Sequence, residues 1–206
     1  PDLASATSTT VEQLGRFEHA LAAARAAGAA PRVVHAANSA AALRFPAARF
    51  DMVRPGIALY GNGPVGLPVE TGRLRQVMQL ESEVAQIRHV SAGQAVSYGG
   101  LWRAARPSRI AVVPVGYADG FPRRLTGKAD ALVAGHRCPV VGAISMDMTL
   151  VDVTSLAHDA RVGDAVILLG AQGDQRISTA ELAELAGLTE YEVTCGISRR
   201  VPRSFR

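Results

Sequence analysis

Two textures of hydrophobic patterning divide this chain of 206 residues. In the first, apolar positions recur at helical spacing. Val11, Leu14, Phe17, Leu21 and Ala24 fall on one face. Thr9-Thr10-Val11-Glu12 has the spacing of a capping box, and Gly28 followed by Pro31 signals a stop. Short apolar runs come next. Arg32–His35 predicts a strand, Asn38-Ser39 the start of a loop, Ser39–Arg44 a short helix, and Met52–Arg54 a second buried strand ending at Pro55-Gly56. Helix and strand alternating at this spacing make an α/β pattern with parallel pairing.

The texture changes near Gly61-Asn62-Gly63-Pro64, a strong breaker. Beyond it, short β-like runs dominate: Leu80–Val90, Arg109–Val115, Ala131–Val133, Pro139–Ile144, Thr149–Val153 and Ala165–Leu169. Ala92-Gly93, Ala118-Asp119-Gly120, Ala134-Gly135 and Val162-Gly163-Asp164 are the turn signals between them. One helix is expected late, capped at Ser178 with Glu181 three residues on, carrying Leu182 and Leu185 inward and stopping at Gly187. Many short strands with glycine-rich turns predict a sandwich or barrel. The expected fold is therefore mainly β with some α/β, divided into residues 1–61 and 62–206. The first piece is too short to bury a core alone. Two βα units leave both sheet edges open and are expected to expose apolar surface near Val33, Val34, Val53 and Ile57.

Composition narrows the function classes. At 48% hydrophobic the chain has material for a core, yet no apolar run approaches the ~20 residues of a membrane span. It opens on Pro1 rather than Met, which reads as a cut or processed start. The net charge of +4 is carried almost wholly by scattered arginines. With no basic tract and no aromatic-studded motif, nucleic acid is not expected; an anionic cofactor or substrate suits the charge. Cys138 and Cys195 match no metal spacing, so no metal site is expected and the thiols fit a reducing, cytoplasmic setting.

The candidate chemistry lies in the joints between elements. Asn38-Ser39 follow a strand and open a helix, where backbone N–H groups favour a phosphate; the plainer reading of Ser39 is a helix cap. Gly56-Ile57 follow the next strand and can bring two further N–H groups close, since glycine has no side chain to block approach; Gly56 also reads simply as a turn. Arg54 places a permanent charge at the end of an apolar strand and needs a partner. Asp51 is one candidate, and the pyridine nitrogen of a cofactor is another.

His35-Ala36-Ala37-Asn38-Ser39-Ala40, the run Asp51–Gly61, Val96-Ser97-Tyr98-Gly99, the run Val115–Arg123, Ile144–Met148 and Arg200-Val201-Pro202-Arg203 occur in the order of alanine racemase. The chain resembles that family over essentially its whole length. The resemblance implies the last βα units of an incomplete (β/α)8 barrel followed by a β-barrel-like C-terminal domain. It implies pyridoxal 5'-phosphate (PLP) as cofactor, with Asn38, Ser39, Gly56 and Ile57 around the phosphate and Arg54 facing the pyridine nitrogen. An arginine there leaves the ring a weaker electron sink, which suits removal and return of one α-proton. Tyr98 resembles the catalytic tyrosine acting on one face of the α-carbon while a lysine acts on the other. Racemisation needs a base on each face. Met146, Tyr117, Asp147 and Arg123 resemble the family's substrate-facing edge. In the family these groups reach into the other subunit, so a head-to-tail homodimer is implied.

The departures are as informative. The family's lysine segment is absent, and the one lysine, Lys128, sits in a turn between β segments. A PLP enzyme carries its cofactor on a lysine, so the chain reads as half of an enzyme, inactive alone. Ala143 and Arg199 stand where many or some members have an arginine and a tyrosine. The alternatives are a non-catalytic β module serving dimerisation, or a racemase of broader specificity on the same fold.

Overall fold

The computed structural model describes residues 6–63 and 74–205. The chain forms two compact units that divide between Val77 and Met78.

In the first unit, helix α1 (Ala6–Ala26) precedes strand β1 (His35–Asn38), helix α2 (Ser39–Arg44) and strand β2 (Met52–Arg54). The helix begins ahead of the expected capping box, so Thr9 lies inside it. Leu14, Phe17 and Leu21 form its half-buried stripe, whereas Val11 and Ala24, expected on the same face, are exposed. Phe17 packs on Phe50 with ring centroids 5.3 Å apart. The helix stops as expected, with Gly28 at a φ of 89°, which an L side chain would resist.

β1 and β2 pair in parallel, His35 opposite Met52 and Asn38 opposite Arg54. The first strand begins three residues later than its apolar residues suggest. Val34 is satisfied ahead of the ladder: its amide donates to Asp51 Oδ2 at 2.9 Å, and the Asp51 amide donates to its carbonyl at 3.0 Å. The ladder then runs over His-Ala-Ala-Asn, where Ala37 is fully buried. The expected apolar exposure divides. Val33 and Val53 are exposed, but Val34 and Ile57 are buried. At the breaker, a Cβ on Gly61 would stand 1.6 Å from the Arg75 carbonyl oxygen, so the returning chain needs glycine there. Pro64 of that breaker lies outside the described residues.

In the second unit every strand pairing is antiparallel. Strands β3 (Leu80–Glu83), β4 (Gln86–Val90), β5 (Ala95–Val96), β6 (Trp102–Arg103) and β7 (Ser108–Val113) are followed by β8 (Asp130–Val133), β9 (His136–Pro139), β10 (Thr149–Asp152), β11 (Ala165–Gln172) and β12 (Gln175–Ile177). Of the two larger sheets, one has the order β10-β7-β4 and the other β12-β11-β8-β9, with β3 also on β11, while β5 and β6 pair apart. The run Leu80–Val90, read as one β segment, serves both sheets. It bends at the buried Val84, whose amide goes to Asp164, while the Ala85 amide goes to Val112. A bridge between Val140 and Val151 joins β9 to β10 at the other side. The two sheets thus form a barrel-like circuit, cornered by a strand that changes sheets. Its core includes Val84, Val113, Phe121, Leu125, Leu132 and Leu168, each at most 1% exposed.

Two sequence readings shift here. Pro139–Ile144 is not a strand throughout: Gly142 takes a φ of 66° and turns the chain after Val141. A helix was also missed. Helix α4 (Glu190–Gly196) follows α3 (Thr179–Ala186), and its capping box joins Thr189 and Glu192, with the Thr189 amide on Glu192 Oε2 at 2.7 Å.

α3 is fastened to the sheet by Arg137 of β9, whose guanidinium donates to both Glu181 oxygens, at 2.6 and 2.8 Å, and to Asp130 at 3.3 Å. The Arg137 hydrogen bond holds the Glu181 carboxyl below the usual range. A carboxylate lowered in the native state stabilises above its unfolded pKa, about 4.3, and loses that contribution as pH falls through the native value. Glu181→Gln is therefore expected to be less stable than wild type near neutrality, with the difference closing below about pH 4.3. Urea midpoints measured from pH 7 to pH 3 test this; a constant difference would remove the ion pair from the account. Burial pushes the Cys138 thiol up to about 11, so it behaves as a core residue.

Candidate active site

In the first unit, the joint between β1 and α2 carries the predicted phosphate residues. Asn38 caps α2, its Oδ1 accepting from the Ala41 amide at 3.0 Å. Ser39 is buried, and its Oγ accepts from the Gly56 amide at 2.9 Å and the Ala58 amide at 3.4 Å. The loop after β2 is thereby tied to the loop after β1. Ser39 Oγ spends acceptor capacity on these bonds and keeps its own hydrogen to donate. Gly56 presents open space where a Cβ would stand. The buried Ile57 begins a short 3-10 turn through Tyr60, and its amide reaches no acceptor among the described residues. A hydroxyl, an uncommitted amide and an unobstructed glycine fit an anionic oxygen group.

Arg54 does not pair with Asp51, which is spent on Val34. Its Nη1 meets His35 Nδ1 at 2.6 Å, and its Nη2 donates to the Ala36 carbonyl at 3.4 Å. Guanidinium nitrogens only donate, so His35 accepts through Nδ1 and carries its proton on Nε2. The arginine is held by neutral acceptors, and its charge has no carboxylate among these contacts. Sequence reasoning gave His35 no role. Its position opposite Met52 at the start of the parallel pair, with Arg54 at the end, is the signal that places it there.

In the second unit, Tyr98 lies in the loop joining β5 and β6, which pair Val96 with Trp102. Tyr98 is 73% exposed, and its hydroxyl has no hydrogen bond among the described residues. Tyr117 begins a 3-10 turn through Asp119, and Arg123 begins another through Leu125. Met146 and Asp147 sit exposed at the tip of a turn closed by bonds between Ser145 and Met148.

Segment 142–148 gathers these pieces. The Ala143 carbonyl accepts from Ser97 Oγ at 2.8 Å, fastening the Tyr98 loop. The Ile144 amide donates to Thr126 Oγ1 at 3.1 Å, fastening the Arg123 turn. The Tyr117 amide donates to Ser145 O at 3.0 Å and the Ala118 amide to Met146 O at 2.8 Å, fastening the Tyr117 turn. Tyr98, Tyr117 and Arg123 are thus presented by loops hung on the one strip of backbone that bears Met146 and Asp147. A cleft of about 290 Å³ opens beside Tyr98, lined by Ser97, Ala143, Ser145, Met148 and Leu150.

The buried Asp119 supports the Tyr117 turn from behind. Its carboxylate accepts from the Gly116 amide at 3.0 Å and meets Arg200 Nε at 3.3 Å. Ser97 and Asp119 were both missed as site residues. Asp119 lies within a turn signal and Ser97 within the Tyr98 motif, and neither residue's long-range contact is visible in its local sequence.

Residues 77–205 match the family model described as alanine racemase, C-terminal domain, and residues 2–64 match alanine racemase, N-terminal domain. This chain belongs to the alanine racemase family. It is 47% identical over 196 residues to an alanine racemase from Symbiobacterium thermophilum, covering 94% of this chain and 51% of that protein. Among solved structures, it is similar to alanine racemase from Bacillus anthracis with bound L-Ala-P, with a TM-score of 0.86 at 39% identity, covering 95% of this chain and 50% of that one. It is also similar to alanine racemase from Bartonella henselae with covalently bound pyridoxal phosphate, with a TM-score of 0.80 at 34% identity, covering 94% and 51%. The chain spans about half the length of the curated relatives it matches. Its architecture is that of the alanine racemase fold, part of the N-terminal barrel domain with the C-terminal β domain. Lys128 falls in the part matched by the alanine racemase C-terminal domain, and its Nζ donates to the Leu185 carbonyl at 3.3 Å, near the end of α3.

Proposed function

We propose that this chain is the C-terminal half of a racemase that interconverts L- and D-alanine with PLP, supplying D-alanine for peptidoglycan. The observation that carries this reading is the state of Arg54. Its guanidinium is held by His35 Nδ1 and a backbone carbonyl and has no carboxylate in these contacts. Such a group remains charged and cannot protonate a ring nitrogen that it faces. When bound, PLP supplies the electron-withdrawing ring that makes the α-proton of an attached amino acid removable. Ser39 donates its hydroxyl hydrogen to the phosphate, the Ile57 amide donates beside it, and Gly56 leaves the approach open, with Asn38 holding the joint. Tyr98 moves a proton at the α-carbon on one face. Met146 offers its backbone N–H to the substrate carboxylate, and Tyr117, Arg123 and Asp147 line the entrance.

In this reading residues 1–61 are the last βα units of a (β/α)8 barrel, whose remaining strands would cover the open edges of β1 and β2. Residues 62–206 form the β domain. Tyr98, Tyr117, Met146 and Met148 are each at least 45% exposed, which fits a head-to-tail homodimer in which a second copy meets this edge. No described helix is long and apolar enough to cross a membrane. Two free thiols fit a reducing cytoplasm.

The second base is assigned to a lysine outside this chain, since Lys128 lies in the stretch matched by the C-terminal domain, on a turn where its Nζ donates to the Leu185 carbonyl. The chain alone, with PLP in excess, is therefore expected to form no D-alanine. The same chain joined to a lysine-bearing N-terminal half is expected to turn over. Enzyme-level racemisation by the isolated chain, measured by a D-amino-acid oxidase assay, would overturn the assignment of roles.

A further inference from the structure

Ser97 has a φ of 66° and a ψ of −179°, a region open essentially to glycine alone. A serine there has to be held, and two contacts hold it. Its hydroxyl donates to the Ala143 carbonyl at 2.8 Å. Its Cβ lies against Gly142, where an added Cβ would stand 2.7 Å from Ser97 Cβ and 3.1 Å from Val96 O. Gly142 itself has a φ of 66°, so its conformation and its missing side chain both serve the same contact.

The strained residue directly precedes Tyr98. Downstream, Gly99 and Gly100 have φ values of 68° and 57°, and the Gly100 amide reaches the Ser97 carbonyl at 3.4 Å. A loop with two adjacent glycines has little stiffness of its own. The Tyr98 hydroxyl has no bond among the described residues, so the ring is not held at its tip. The direction of Tyr98 is set at its base, by the turn at Ser97. Ala143 belongs to the strip that also bears Met146 and Asp147, so the same bond locks Tyr98 in register with them.

We propose that Ser97 is the positioning residue for Tyr98, latched in a conformation foreign to serine by the Ala143 carbonyl and the bare face of Gly142. This rests on the reading of Tyr98 as the group that moves a proton. The latch is nevertheless testable without catalysis. The chain is labelled with 3-fluorotyrosine, the Tyr98 signal is assigned with Tyr98→Phe, and amide exchange is followed at Gly100. Ser97→Ala keeps the strain and removes the bond. The expected result is a broadened Tyr98 signal and exchange at Gly100 about tenfold faster, the scale of one lost hydrogen bond. The Tyr117 and Tyr191 signals stay in place. Ser97→Gly removes bond and strain together and is expected to fall between Ala and wild type. Gly142→Ala pushes on Ser97 from the other side and reproduces the Ala result. An unchanged Tyr98 signal and unchanged exchange in both Ser97→Ala and Gly142→Ala overturn the proposal.

In a racemase carrying this chain as its C-terminal half, Ser97→Ala is expected to lower kcat by about 100-fold with KM within about twofold. Full activity of Tyr98→Phe would sink the reading of Tyr98 as the group that moves a proton while leaving the latch standing. Full activity of Ser97→Ala beside a crippled Tyr98→Phe would sink the latch and leave the reading.

Discussion

Tyr98→Phe is expected to lower racemisation by about a thousandfold in the enzyme that carries this chain, with PLP affinity unchanged. The substitution keeps the ring and deletes the one oxygen that can carry a proton. Tyr98 is 73% exposed, and its hydroxyl has no bond among the described residues, so the fold should move by less than about 0.5 kcal/mol. Ser39, Arg54, Gly56 and Ile57, the residues proposed to hold the cofactor, lie on other elements, and the bonds of Ser39 and Arg54 are untouched. Loss of one of two bases also has a directional signature. Exchange of the α-hydrogen with solvent should persist for the enantiomer whose proton the lysine takes, while interconversion collapses. Measuring both rates in deuterium oxide separates this outcome from general damage. A variant that racemises at the wild-type rate removes Tyr98 from the mechanism.

Gly116→Ala should destabilise the second unit by about 3 kcal/mol. Gly116 has a φ of −144° and a ψ of −161°, extended backbone that alanine adopts freely, so the cost comes from space alone. An added Cβ would stand 2.3 Å from Ser145 O and 2.5 Å from Asp147 N and the Met146 carbonyl carbon. All three are backbone atoms that no side-chain rotation can move. The bonds that join the Tyr117 turn to Ser145 and Met146 would open, and the Asp119 carboxylate would lose its grip on the Gly116 amide. Gly196→Ala is the control. It lies at the end of α4 with nothing within 4 Å of an added Cβ, and a change between zero and a gain of about 1 kcal/mol is expected. Urea unfolding of both variants decides. If Gly116→Ala is as stable as Gly196→Ala, the close approach of the two turns does not hold them together.

Much of this architecture was legible along the chain because it rests on local rules. Periodicity found α1 and its Gly28 stop, and the Ser178 cap found α3, since a helix end announces itself through its unpaired amides. Ala134-Gly135 was legible as a turn, and both residues do take positive φ, 51° and 77°. α4 carries the same kind of signal in the capping box of Thr189 and Glu192. The motif order named the family, and with it the candidate residues, because those residue types recur at fixed spacing.

Other features depend on residues that meet only in the folded chain. Nothing local separates Leu80–Val90 into two strands. That division follows from the sheets pairing on either side of Val84. The first strand was displaced because Asp51, distant in sequence, satisfies Val34. The same bond removes Asp51 from Arg54 and leaves His35 as the arginine's partner. Ser97 appeared as an ordinary member of a motif, since a φ of 66° cannot be read from a serine. It is imposed by the Ala143 carbonyl and Gly142, more than 40 residues away. Composition, periodicity and capping decide which elements form, because each depends on neighbours within about one helical turn. Which loops stand together, and which strained backbone aims Tyr98, is decided by long-range hydrogen bonds and close approaches that exist only once the sheets have closed.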